Sequence, residues 1–69
     1  MKDTIQVNDQ TRELEAGQTL AGLVGELGLA ERKGIALALN GAVAPRTDWP
    51  ARTLRAGDRV LVIQATQGG

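Results

Sequence analysis

Cysteine and histidine are both absent from the 69 residues. Without them the chain forms no disulfide, no zinc finger and no haem ligand pair, and it carries out no thiol or imidazole chemistry. Aromatic residues are nearly missing as well: there is one tryptophan, Trp49, and neither Phe nor Tyr. Binding to nucleic acid relies on positive charge and stacking rings. Here eight Lys and Arg are cancelled by eight Asp and Glu, and no basic stripe forms, so no nucleic-acid partner is expected. No apolar run approaches the length of a membrane span, and "MKDTIQV" lacks the apolar stretch of a signal peptide, so no membrane partner is expected either. A missing cysteine does not itself fix the redox compartment. A secreted domain this small usually needs covalent staples, however, and the expectation is a cytoplasmic protein, monomeric when free.

What the chain does contain is periodic. "TIQVN" puts Ile5 and Val7 on one face and Gln6 and Asn8 on the other, the period of a half-buried strand. The turn signal "NDQ" follows, and "TRELE" resumes a weaker alternation around Leu14, which together predict an N-terminal hairpin. Leu20, Leu23, Val24 and Leu27 recur at helical spacing as one apolar stripe. Thr19 stands where an N-cap hydroxyl is wanted, and Gly28 where a left-handed C-terminal residue is wanted, with Leu29 free to fold back on Val24. Gly22 and Gly25 inside this helix cost about 1 kcal/mol each relative to alanine, so packing on a sheet has to hold it. Their pattern with Gly28 resembles a glycine-rich loop, but no Walker or dinucleotide fingerprint accompanies it, and close-packing and capping roles are expected instead.

In "IALALNGAVAP", Ile35, Leu37 and Leu39 share a face, Asn40-Gly41 signals a hairpin, and Pro45 ends the second strand at a sheet edge. "RTDWP" reads as a tight polar segment. Trp49 within it is either a plug over one end of a small core, the favoured reading, or a binding hot spot, and Arg46 either stacks on its ring or serves a partner. Finally Gly57-Asp58 turns into Val60-Leu61-Val62-Ile63, apolar on both faces, which predicts a central strand. Two hairpins, one single-striped helix and a central last strand predict an α+β fold of the β-grasp type: a mixed sheet of four to five strands with one main helix on one face. Residues 1–65 are expected to form this domain and residues 66–69 a flexible tail.

Enzymatic chemistry requires titratable groups converging in a pocket. Asp3, Asp9, Glu13, Glu15, Glu26, Glu31, Asp48 and Asp58 fall instead in turns, on exposed strand faces or on the polar side of the helix. No catalytic residue, metal site or bound cofactor is expected. The tail "QATQGG" is the exception to this bland surface. It reads either as a frayed end or as a working part, and its place after a rigid strand favours the second. Two residues without Cβ can thread a narrow channel, and a terminal carboxylate is ionised at neutral pH. Such a carboxylate can attack the α-phosphate of ATP to give an acyl-adenylate. The chain has no nucleotide-binding loop, so a partner would supply the ATP chemistry.

"AGQTLAGLV", "ALNGAVAPRTDW", "LRAGDRVLVIQA" and the terminal "GG", in this order over essentially the whole length, resemble the ThiS family of sulfur carrier proteins, ubiquitin-like β-grasp proteins of thiamine biosynthesis. The resemblance implies a cycle. An ATP-dependent, ThiF-like adenylyltransferase activates the Gly69 carboxylate, sulfur relayed from a cysteine desulfurase displaces AMP to leave a thiocarboxylate, and a ThiG-like thiazole synthase takes that sulfur. By the same resemblance Gly69 is the modified residue, and Gly68, Gln67 and Thr66 form the reach into the partner's channel. Ile63, Leu61, Val43 and Arg46 are the candidate docking surface, with their outward faces left open. Many relatives carry a more apolar residue or a third glycine where this chain has Thr66-Gln67, a departure that bears on partner affinity more than on chemistry. Two alternatives remain. One is a sister carrier, such as a molybdopterin synthase small subunit or a carrier for cysteine biosynthesis; these tend to be longer and lack the compact "PRTDW". The other is a ubiquitin-like binding or conjugating module.

Overall fold

The two hairpin turns set the frame of the sheet. Asn8 and Asp9 both lie at positive φ (49° and 69°), as do Asn40 and Gly41 (52° and 87°). Two consecutive left-handed residues match the twist of the flanking strands, and Asn, Asp and Gly are the residues that adopt them most readily. In the computed structural model, which describes residues 3–64, the first turn joins β1 (Thr4–Val7) to β2 (Gln10–Glu13). The second joins β3 (Ile35–Leu39) to β4 (Ala42–Ala44), and β5 (Arg59–Gln64) closes the order. Gln10 is already strand, so the first turn is one residue shorter than "NDQ" suggests.

Within the described residues the five strands form one mixed sheet in the order β2-β1-β5-β3-β4. β5 runs parallel to β1 and antiparallel to β3, so the last strand lies at the centre, as its apolar run predicts. β4 is an edge and stops before Pro45, which has no N–H to offer a further strand.

Among the described residues one α-helix, α1 (Leu20–Glu26), covers one face. Thr19 caps it by accepting a hydrogen bond from the Gly22 N–H at 3.1 Å. Its far end closes with the Gly28 N–H on the Gly25 carbonyl and the Leu29 N–H on the Val24 carbonyl, while Gly28 sits at φ 74°. This is the paired closure that a glycine after the helix permits. The close-packing expected of Gly22 and Gly25 is not found. A Cβ on Gly25 would meet nothing within 4 Å, and one on Gly22 would make only ordinary contact with Thr19. Both lie on the exposed side of the helix.

Leu20, Leu23 and Val24 from α1 pack on Ile5, Val7, Ile35, Leu37, Leu39 and Val60 from the sheet. Each such side chain contributes about 1.5–3 kcal/mol relative to exposure, enough in sum to hold a short, glycine-containing helix that would not persist alone. One element goes beyond the sequence reading: Arg46–Ala51 winds into a 3₁₀ helix rather than an irregular segment. It carries Trp49 into the core at 6% exposure, and the indole Nε1 donates to the Ala44 carbonyl at 2.9 Å. The plug reading of Trp49 is the one observed. Among the described residues no helix is long and apolar enough to cross a membrane.

Candidate functional site

Because the helix covers only one face of the sheet, the opposite face is open. β5 alternates across this boundary. Val60 is buried and Val62 half-buried toward the helix, while Leu61 and Ile63 project outward at 50% and 44% exposure. Val43 of β4, at 74%, joins them. The register explains the grouping. Ala38 is the cross-strand partner of both Leu61 and Val43, and Ala36 is the partner of Ile63. The small alanines between the larger side chains leave one shallow apolar band across β5, β3 and β4. Arg59 lies at one end of the same face, opposite Gln6. Toward β1 and β2 the surface turns polar through Thr4, Gln6, Thr11 and Glu13.

An exposed apolar band with a polar rim is the surface type that other proteins bind. The band brings three of the four predicted docking residues together: Leu61, Ile63 and Val43. Arg46 is placed elsewhere. Its guanidinium lies 4.9 Å from the centre of the Trp49 ring and donates to the Arg32 carbonyl at 3.2 Å, on the helix side of the sheet. Of the two roles open to Arg46 in the sequence, stacking on the indole is the one the geometry displays. Gly69, Gly68, Gln67 and Thr66 lie outside the described residues. What the structure fixes is the strand that leads to them, which lies between β1 and β3 and runs along the apolar band to Gln64.

Three polar side chains that the sequence offers only as turn or surface residues hold this strand. Asn40 accepts from the Arg59 N–H through Oδ1 at 2.9 Å and donates from Nδ2 to Asp58 Oδ1 at 3.0 Å. Asp58 in turn receives the Arg55 N–H at 2.8 Å, so this carboxylate orders the turn before β5 rather than being merely solvated. Asn8 Oδ1 accepts from the Val62 N–H at 2.8 Å. The asparagines were legible as turn residues, but their partners, 19 and 54 positions away, were not. On the helix side, Arg12 approaches Glu26 at 3.9 Å, and Gln18 Nε2 donates to the same carboxylate. Among the described residues, no three Cys, His, Asp or Glu side chains gather in a metal-binding arrangement.

Among the described residues, the central β5, the strand order and the α-helix on one face of the sheet match a known family in shape, and the sequence matches it too. The ThiS family profile matches residues 5–69. The chain belongs to the ThiS family. Two relatives carry the name sulfur carrier protein ThiS. That of Escherichia coli is 37% identical over 62 residues, covering 90% of this chain and 92% of its own. That of Thermus thermophilus is 41% identical over 63 residues, covering 91% and 95%. The crystal structure of a thiamine biosynthesis protein, ThiS, from Geobacter metallireducens superposes with a TM-score of 0.79 at 25% identity, over 96% of this chain and 99% of that one. The β-grasp fold expected from hairpins, helix stripe and central strand is thus the fold of ThiS proteins.

Proposed function

We propose that this ThiS-family chain is a sulfur carrier of thiamine biosynthesis that works as the co-substrate of other enzymes. Its ThiS relatives are sulfur carrier proteins, which supports the carrier role. The observation that carries the finer reading is the position of β5. The strand leading into "ATQGG" lies between β1 and β3 and is paired with β3 as far as Gln64, and the apolar band of Leu61, Ile63 and Val43 lies beside it. A partner that docks on this band receives the chain's last residues at a defined place.

In this reading, a carboxylate oxygen of Gly69 attacks the α-phosphorus of ATP within an adenylyltransferase. Pyrophosphate leaves, and the carboxylate becomes an acyl-adenylate. A sulfur nucleophile relayed from a cysteine desulfurase then attacks the acyl carbon, and the bond to AMP breaks. A partner thiol then attacks the donor sulfur of the resulting acyl disulfide and forms a disulfide with it, which leaves on Gly69 a thiocarboxylate that thiazole synthase consumes. Gly68 supplies backbone with no side chain to obstruct a narrow channel, and Thr66 and Gln67 span the distance from the strand. A chain without cysteine has no thiol to hold sulfur, so the terminal carbonyl carbon is the site that this chemistry needs. The same reading sets the protein in the cytoplasm, where ATP is available.

Intact-mass spectrometry tests the proposal directly. After incubation with the adenylyltransferase, ATP and a sulfur donor, the chain should gain the mass difference between sulfur and oxygen. An unchanged mass with a partner proven active on another carrier refutes it.

A further inference from the structure

The two flanks of β5 are held differently. On one side β3 accompanies the strand to its end, with Ile35 opposite Gln64. On the other side β1 stops early. Its last register pair with β5 is Val7 with Val60, and the chain then turns away through Asn8 and Asp9 into β2.

The side chain of Asn8 takes over where β1 leaves off. The Asn8 backbone N–H donates to the Val60 carbonyl at 3.0 Å. Its Oδ1 then accepts from the Val62 N–H at 2.8 Å, and its Nδ2 lies 3.5 Å from the Val62 carbonyl. A carboxamide offers the same donor and acceptor as a peptide group, so Asn8 stands in for the next residue that β1 lacks. The arrangement depends on the left-handed backbone of Asn8 (φ 49°), which few residue types adopt. Asn40 does the equivalent at the opposite end of the strand. It donates its backbone N–H to the Arg59 carbonyl at 2.8 Å and accepts the Arg59 N–H at 2.9 Å.

We propose that Asn8 is a positioning residue for sulfur loading and delivery. By pinning Val62 on the flank that β1 has vacated, it keeps the last residues of β5 in the sheet and fixes the direction in which the chain leads into residues 65–69. The proposal rests on the sulfur-carrier reading. Once a partner has docked on the outer face, entry of the terminus into its site is an intramolecular step. The rate of that step follows the effective concentration of the terminus at the site. A strand that frays from Val62 rather than from Gln64 spreads its end over more directions and lowers that concentration. The Asn8–Val62 bond is exposed to solvent, so its loss costs the domain no more than one ordinary hydrogen bond, and water can solvate the freed groups. Water does not preserve the direction.

Three variants separate direction from stability. Asn8→Gly tolerates the positive φ and removes the carboxamide. Asn8→Asp keeps an oxygen for the Val62 N–H. Asn40→Gly removes the matching bond at the far end of β5. In thiocarboxylate formation with saturating ATP, Asn8→Gly should lower kcat about fivefold with KM for the carrier nearly unchanged, the factor of one ordinary hydrogen bond. Asn8→Asp should restore kcat, and Asn40→Gly should leave it near the parent value. In amide hydrogen exchange, Asn8→Gly should speed exchange at Val62, and at Ile63 beyond it, at least about fivefold, while Leu61, which precedes the released end, keeps its protection. The proposal is overturned by unchanged kcat in Asn8→Gly, by failure of Asn8→Asp to restore it, by an equal fall in Asn40→Gly, or by unchanged exchange at Val62. If the parent chain itself takes up no sulfur, the carrier reading falls, and the exchange measurement alone decides whether Asn8 holds the strand.

Discussion

Removing the two outward side chains of β5 should separate docking from folding. Leu61 and Ile63 are 50% and 44% exposed, so about half of each is already covered by neighbours, and a docked partner can cover only the remainder. Full burial of such a side chain is worth about 1.5–3 kcal/mol, which leaves about 1 kcal/mol for each to contribute on docking, or about fivefold in affinity. Truncating both to alanine, in adjacent positions on one face, should therefore raise KM in the adenylation reaction by about 10–30-fold with kcat little changed.

The fold should tolerate the double variant, because neither side chain belongs to the buried cluster. The loss in strand propensity is at most about 1 kcal/mol per site, or a fall in Tm of about 4–8 °C for each such unit in a domain this size. Leu37→Ala is the contrast. Leu37 is 0% exposed, and its truncation should cost about 2–5 kcal/mol, a large share of a small domain's stability. Adenylation kinetics over a range of carrier concentration, with thermal melts in parallel, make the comparison. A folded double variant with unchanged KM would refute the docking role of the band. A double variant as destabilised as Leu37→Ala would refute the view that these side chains stand outside the core.

On the carrier reading, Gly69→Ala should slow sulfur loading at least about tenfold in intact-mass time courses, because a Cβ would crowd the partner's channel and restrict φ. Its melting curve should match the parent's, and a lowered Tm would show that the terminus contributes to the core. Trp49→Ala should cost about 3–5 kcal/mol and leave little folded protein. Trp49→Phe should cost about 1–3 kcal/mol, because the ring still fills its site while the Ala44 carbonyl loses its donor. Circular-dichroism melts rank the two, and equal Tm values for both variants would mean that the indole packing is not what seals that end of the core.

Much of this architecture was legible along the chain. Thr19, the stripe of Leu20, Leu23 and Val24, and the Gly28-Leu29 closure all act within a few residues, where capping and periodicity are local effects. Asn40-Gly41 determined a two-residue hairpin for the same reason. The central place of β5 followed from its apolar run. That run left one matter open: apolar residues on both faces do not say which of Leu61, Val62 and Ile63 look away from the helix. Leu61 and Ile63 were left outside by the register of β5 against its neighbours, which the run itself does not encode. The 3₁₀ winding of Arg46–Ala51 was also hidden, because it is set by Trp49 finding the core and its indole finding the Ala44 carbonyl.

The residues themselves therefore determined the elements and their turns and caps, since each depends on backbone preferences and on neighbours close in the chain. Tertiary structure alone decided which face of β5 meets solvent, the removal of Arg46 to the side of Trp49, and the pairing of Asn8 with Val62. Those outcomes depend on which distant segments pack together, and a one-dimensional pattern carries no information about the flank from which a strand will be held.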